Sequence, residues 1–274
     1  MRQPDKTVVN SMGNAIIKLC RLGAVLALAM AAWMNAHAAE PCSLSVGWEP
    51  YGAHIYVDAS GVLTGSDIEL MRVLAQDIGC TVTFRRLPWI RHLVELQAGR
   101  IDMATSARWT AEREAYGWFS DPYQYNHMAL YVLRGAAKNH RLTELAALPE
   151  AGFRLGVISG YYYGPGVEKL MANPAFARQI EPVYDYPTNL RKLIHGRIDG
   201  ILANDAKVLI AEAKALGIYE RLERHPLAIP SNVSHLLFSK KSVAPDLVTA
   251  VNASLAKMKA DGRLQKILDQ YTAQ

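Results

Sequence analysis

The sequence predicts an α/β protein built as two lobes, on three observations. After residue 42, short apolar runs alternate with amphipathic stretches, the pattern left by parallel strands and their crossover helices. The segment Leu93–Asp102, LVELQAGRID, returns as Leu190–Asp199, LRKLIHGRID. Both fit L-x-x-L-x-x-G-R-I-D, a helix that ends at glycine and runs into a buried strand. Finally, two strand-like runs, 128–133 and 235–239, bracket the second copy and are natural crossovers between lobes. The expected division is 39–133 with 235–274 as one lobe and 134–234 as the other, with a hinge at the two crossings.

Residues 1–38 read as a signal peptide rather than as part of the fold. Arg2, Lys6, Lys18 and Arg21 form a basic start, Leu22 to Met34 is a short apolar core, and Ala36-His37-Ala38 offers small residues for cleavage. The apolar run is too short for a comfortable membrane span. Cys42 follows Ala39-Glu40-Pro41, which lacks the small residue that a lipid-bearing cysteine needs just before it. An exported, periplasmic protein without a lipid anchor is expected. The formal charge of +5 sits largely in this segment and gives no argument for nucleic acid.

The elements follow in order. Leu44 to Trp48 is a strand closing on Glu49-Pro50-Tyr51, and Asp67 to Ile78 carries a helical apolar stripe ended by Gly79. Thr81 to Phe84 is rich in strand formers, and Pro88 opens the next helix, which stops at Gly99. A strand over 101–104 then leads to a turn of helix that Thr110 caps. In the second unit the sequence predicts a strand at 128–133, a short helix at 142–148, a strand at 153–158, a helix at 167–171, a helix at 189–195, a strand at 198–203 and a helix at 206–216. A connection with two prolines spans 221–234, then come a strand at 235–239 and helices at 245–260 and 264–271. Once the signal is removed, Cys42 and Cys80 are the only thiols, which in an oxidising compartment suggests one disulfide. Each enters one of the first two strands, at the same end of parallel neighbours, within bridging reach.

Catalytic and metal-binding classes find little support. The sequence holds no G-x-S-x-G, no phosphate-binding loop, no dinucleotide fingerprint and no His/Cys cluster of metal-ligand spacing. No cofactor and no metal are therefore expected. Glu49 is the one carboxylate placed to act as a general acid or base. The stretch from Gly99 to Tyr123 carries the strongest binding signal, an arginine beside free N–H groups at a helix start, which suits a carboxylate.

Taken together, Trp48-Glu49-Pro50-Tyr51, Gly65-Ser66-Asp67-Ile68-Glu69-Leu70, Pro88-Trp89-Ile90-Arg91, Gly99-Arg100-Ile101-Asp102, Thr110 with Glu112-Arg113, Phe119-Ser120-Asp121-Pro122-Tyr123, Gly156 to Gly160 and Gly196-Arg197-Ile198-Asp199 resemble the bacterial extracellular solute-binding protein family 3. These are periplasmic receptors of ATP-binding-cassette importers for polar amino acids. The resemblance covers residues 42 to 271 and implies the type II periplasmic binding protein fold, its two lobes joined by two crossover strands. It further implies a monomer that delivers a small ligand to an inner-membrane permease. Position by position, it implies stacking aromatics at Trp48 and Trp89, a carboxylate-gripping arginine at Arg113, hydroxyl and backbone donors at Thr105 and Ser106, and second-lobe contacts at Tyr161 and Tyr162. The acid that holds an α-amino group would follow Asp199 by about five places, where Asn204 stands with Asp205 next to it. Arg91 and Arg108 are extra basic residues that suit a more negatively charged ligand or simply face solvent. The expected ligand is an amino acid or related small carboxylate with a flat or cationic portion. The alternatives are an enzyme of the same fold, of the cyclohexadienyl dehydratase type, and a ligand sensor for a membrane kinase.

Overall fold

A computed structural model describes residues 42–272; the predicted signal segment lies outside the described residues. The chain starts with β1 (Ser43–Trp48), followed by a small hairpin of β2 (Tyr56–Val57) and β3 (Leu63–Thr64) and by α1 (Ser66–Asp77). Then come β4 (Thr81–Arg86), α2 (Trp89–Gln97), β5 (Met103–Ala107), α3 (Ala111–Tyr116), β6 (Gly117–Phe119) and β7 (Gln124–Asn126). The middle of the chain supplies β8 (Ala129–Leu133), β9 (Leu155–Ile158), α4 (Pro165–Met171), α5 (Pro174–Ala177), β10 (Ile180–Val183), α6 (Tyr186–Ile194), β11 (Gly200–Ala203), α7 (Ala206–Ala215) and β12 (Leu222–Arg224). The last elements are β13 (Asn232–Ser239), α8 (Pro245–Ala260) and α9 (Arg263–Thr272).

Two principal sheets result. The first has the order β4-β1-β5-β13-β6, with β7 also pairing with β13; the second has the order β10-β9-β11-β8-β12. Within each, the βαβ strands run parallel, and the strand arriving from the other lobe runs antiparallel beside the third (β13 on β5, β8 on β11). The repeat in the sequence is therefore a repeat in the fold. Gly99 and Gly196 both take positive φ, 77° and 65°, which a residue with a Cβ adopts only under strain. Leu96, Leu190 and Leu193 are buried before the glycine, and Ile101 and Ile198 after it. The aspartates do equivalent work in the two lobes. Asp102 Oδ2 accepts from both N–H and Oγ of Ser45 on β1, each at 2.7 Å. Asp199 accepts from the Arg154 backbone N–H at 2.7 Å and, bidentately, from its guanidinium. In each lobe a carboxylate pins the start of the third strand to the start of the first.

Cys42 and Cys80 are disulfide-bonded. The register explains why: Ser43 lies opposite Thr81 in the parallel β1–β4 pair, so the two cysteines stand side by side one residue earlier.

Some elements differ from the sequence reading. The helix expected at 142–148 is reduced to a single 3-10 turn, Leu145–Ala147, because Pro149 cuts the segment short. β10 has no counterpart in the sequence reading; it forms as the edge strand of the second sheet, where the N–H that Pro182 lacks is tolerated. The lobe boundary expected after residue 133 falls earlier, since β8 hydrogen-bonds in the second sheet between β11 and β12. The chain passes between the sheets at 127–128 and again between β12 and β13, over 225–231.

Candidate functional site in the cleft between the lobes

The carboxyl ends of β1 and β5 face the turn that follows β9, and the side chains they present enclose a cleft. This is where open α/β sheets bind ligands. It holds about 470 Å³ of space free of atoms, counting its open mouth. From the first lobe it is lined by Trp48, Trp89, Thr105, Ser106, Arg108 and Arg113, and from the second by Tyr161, Tyr162 and Asn204. Nine of the residues singled out in the sequence are thus brought together. Two are not. Arg91 is exposed on α2 and pairs at i,i+4, at 2.9 Å, with the buried Glu95, which also takes Arg100. Asp205 is buried behind the wall, where it caps α7 by accepting from the Lys207 N–H.

The end of β5 is bent at Ser106, the only non-glycine among the described residues with positive φ, at 52°. Three bonds hold it there: its N–H donates to Tyr123 Oη at 2.9 Å, its Oγ donates to Asp67 Oδ2 at 2.8 Å, and Tyr123 Oη in turn donates to Asp67 Oδ1. That turn aims Arg108 inward. Its Nη1 donates to the Ser106 carbonyl and, over a short bond, to Ser234 Oγ, while Nη2 reaches the Asn204 carbonyl across the cleft. Thr110 caps α3 as expected, accepting from the Arg113 N–H at 3.1 Å. The Arg113 guanidinium donates to the Arg108 carbonyl at 2.9 Å and to the Gly160 carbonyl of the other lobe at 2.8 Å. It lies over the Trp89 ring, 5.5 Å from the centroid. Burial pushes its pKa below the usual guanidinium range.

The lobes are closed on one another. Trp89 Nε1 donates to the Gly160 carbonyl at 3.0 Å, Tyr161 Oη donates to Glu49 Oε1 at 3.3 Å, and Tyr51 Oη donates to Asn204 Oδ1 at 3.3 Å. Tyr161 meets Tyr51, Trp89 and Tyr186 edge to face, with centroids 6.2–6.4 Å apart, which gives the cleft an aromatic wall. Asn204 Oδ1 also accepts from Tyr186 Oη at 2.8 Å. Behind the wall, burial opposes a charge on His54, but Asp205 and Asp67 outweigh it and hold the imidazole above its ordinary range. Burial likewise opposes the Asp205 carboxylate, and the His54 and Asn126 hydrogen bonds prevail to keep it low.

Sequence reasoning did not assign four lining residues to a site: Gly47, Tyr51, Ile55 and His92. Tyr51 stood in plain view in the Trp-Glu-Pro-Tyr turn. His92 sits one helical turn after Trp89, and burial lowers it to about 4, so it faces the cleft as a neutral ring. Glu49 also lines the cleft; burial pushes its carboxyl up to about 7 although it accepts from the Trp89 N–H at 2.9 Å.

Residues 44–274 match the family described as bacterial extracellular solute-binding proteins, family 3. The chain belongs to this family. Its relatives include the L-cystine-binding protein TcyJ of Escherichia coli (strain K12), 27% identical over 85% of this chain and 83% of that protein. Another is the probable amino-acid-binding protein YxeM of Bacillus subtilis (strain 168), 25% identical over 77% of each chain. Among solved structures, an ancestral arginine-binding protein bound to arginine superposes with a TM-score of 0.71 and 25% identity, covering 84% of this chain and 97% of that one. The fold of this family member is accordingly the two-lobed type II periplasmic binding fold, the chain crossing at 127–128 into β8 and over 225–231 into β13. Among the described residues no helix is long and apolar enough to cross a membrane, and no group of His, Cys, Asp or Glu is arranged to hold a metal ion.

Proposed function

We propose that this protein is the periplasmic substrate-binding component of an ATP-binding-cassette importer and captures an amino acid or related small carboxylate between its lobes. One observation carries the reading: Arg113, 6% exposed, lies at the lobe interface without an acidic partner among the described residues and donates across the cleft to Gly160. A guanidinium held in this way is ready for a ligand carboxylate. Membership of the solute-binding family and relatives named for cystine and amino-acid binding support it. The ligand-binding residues proposed are Trp48, Trp89, Thr105, Ser106, Arg108, Arg113, Tyr161, Tyr162 and Asn204. The lobes rotate about the two crossings, and export by residues 1–38 places the protein in the periplasm beside its permease.

Native mass spectrometry of protein purified without refolding identifies a retained ligand, and calorimetry with that ligand tests the grip. Arg113→Ala is expected to weaken binding by about 2–5 kcal/mol, since the ligand's carboxylate stays buried without its main partner. Undiminished affinity would move the carboxylate site elsewhere. Loss of uptake on deletion of the gene separates transport from sensing. Glu49, with its carboxyl near 7 in the cleft, favours a second reading, an enzyme that moves a proton on a bound acid. Turnover of the retained ligand into a product would establish that reading.

A further inference from the structure

The cleft holds two guanidinium groups and no carboxylate paired with either. Arg108 is 3% exposed and Arg113 6%, and neither takes part in any ion pair among the described residues. All their hydrogen bonds go to neutral acceptors: the carbonyls of Ser106, Asn204, Arg108 and Gly160, and Ser234 Oγ. Arg108 Nε is buried with no acceptor at all. Two buried like charges that share one cleft are costly unless something neutralises them.

The acids nearby are not free to do so. Among the described residues, Glu49 is the only acid that lines the cleft, and burial favours its neutral form. Asp67 is taken up by Ser106 and Tyr123, and Asp205 by His54 and Asn126. From the second lobe, Asn204 supplies the one side-chain amide that lines the cleft among the described residues. Its Oδ1 already accepts from Tyr51 and Tyr186, and Tyr186 Oη accepts the Asn204 N–H, so the hydroxyl proton of Tyr186 belongs to Oδ1. What remains for the cleft is the amide Nδ2, a donor. The indoles do not welcome a cation either: Arg86 lies 5.5 Å from the Trp48 centroid and Arg113 5.5 Å from that of Trp89, so each ring already carries a guanidinium.

We infer that the cleft selects a small dianion, two acidic groups on one compact skeleton, over a ligand bearing a free α-ammonium group. Arg113 takes one acid, the open edge of Arg108 takes the other, and Asn204 Nδ2 donates to a ligand oxygen. This rests on the reading of the cleft as the ligand site.

Calorimetric titration with matched probes tests it: succinate against butanoate and aspartate, glutarate against pentanoate and glutamate, phthalate against benzoate, with glycine betaine as the cationic control. In at least one set the dicarboxylate is expected to bind about tenfold or more tighter than both its monocarboxylate and its amino acid. Arg108→Met should remove most of that dicarboxylate's advantage, bringing its affinity to within about threefold of the monocarboxylate's measured on the same variant. Should Arg108→Met fail to fold, as judged by thermal melting followed by circular dichroism, Asn204→Asp supplies an independent arm. It keeps the acceptor for both tyrosines and should weaken the dicarboxylate about tenfold by placing a negative charge against it. Tighter binding of an amino acid or of betaine than of every dicarboxylate overturns the inference, as does silence from all dicarboxylates or an unchanged preference in both variants. Probe binding that is indifferent to Arg113→Ala and Trp89→Ala as well would overturn the cleft itself as the site.

Discussion

Replacing Asp199 by alanine tests whether the repeated G-R-I-D is architecture or ligand chemistry. Its carboxylate accepts the Arg154 backbone N–H at 2.7 Å, Nε at 3.0 Å and Nη2 at 2.8 Å. The backbone bond is charge-assisted, and losing it leaves a half-buried N–H at the entry to β9 without an acceptor, worth about 1.5–3 kcal/mol. The ion pair adds little, because 43% of the Arg154 side chain is exposed; about 0.5 kcal/mol after screening is a fair allowance. The expected loss is therefore about 2–3 kcal/mol, or roughly 4–12 °C in Tm for a domain of this size. Burial raises the Asp199 carboxyl, but the bonds from Arg154 outweigh it and leave the pKa below the ordinary value of 3.8. The stabilisation is thus present above the unfolded-state pKa and lost as pH falls through the lower, folded one. Urea unfolding at pH 7 should show a lower midpoint with unchanged slope, and calorimetry should show ligand affinity within about threefold of the parent. Unaltered stability with lost affinity would refute the reasoning and make the repeat a binding motif. Asp102→Ala, which frees Ser45 N–H and Oγ in the other lobe, should behave alike.

The disulfide and Glu49 give predictions of their own. Reducing the Cys42–Cys80 bond, or replacing both by serine, should cost about 3–4 kcal/mol of stability in the chain-entropy model, and unfolding with and without reductant measures it. Affinity should stay unchanged, because the bond closes the amino ends of β1 and β4 while the cleft lies at their carboxyl ends. Glu49 should make stability pH-dependent: burial raises its pKa from 4.5 to about 7, so the closed fold keeps a proton that the unfolded chain gives up. That contribution, about 3 kcal/mol, is present in full below about pH 4.5 and is lost as pH rises through about 7. The stability advantage of the parent over Glu49→Gln, measured with the same ligand bound, should shrink between pH 5 and 8; a constant difference would show that Glu49 is ionised throughout.

The fold was legible where the sequence repeats a joint. Leu-x-x-Leu-x-x-Gly-Arg-Ile-Asp encodes two buried faces, a left-handed stop and a strand entry, all of which are local, so pattern alone found both copies. The disulfide was legible for the same reason, as parallel neighbours one crossover apart must begin together. Arg113 and Thr110 were legible because an N-cap and its helix lie within four residues of each other. Arg91 and Arg108 were not separable by sequence. Both are arginines near a helix or loop start, and only the backbone turn at Ser106, held by Asp67 and Tyr123 from far along the chain, sends one inward and leaves the other to Glu95. Asn204 and Asp205 present the same problem at a spacing of one residue. The register of β11 and the capping of α7 settle it by turning Asp205 toward His54 and Asn126 and leaving Asn204 on the cleft.

Closure of the lobes converges on one backbone atom. The Gly160 carbonyl, in the turn after β9, accepts from both Trp89 Nε1 and Arg113 Nη2 of the opposite lobe. The turn can present that carbonyl because Gly160 has φ 75° and no side chain: a Cβ there would lie 2.9 Å from Ile90 Cγ1 and 3.3 Å from Trp89 Cδ1. Gly160→Ala therefore acts twice. The left-handed backbone costs about 1–2 kcal/mol within the second lobe whether the lobes are open or closed. The added methyl also collides with α2, but only in the closed state. Stability of the ligand-free protein should fall by the first amount alone, while affinity should fall about tenfold or more, because closing now requires Ile90 and Trp89 to give way. Small-angle scattering reads the difference directly, since the parent should contract on binding and the variant should contract less. If Gly160→Ala binds and contracts as the parent does, the two bonds to this carbonyl do not hold the lobes shut, and the Tyr51–Asn204 and Tyr161–Glu49 contacts must carry closure instead.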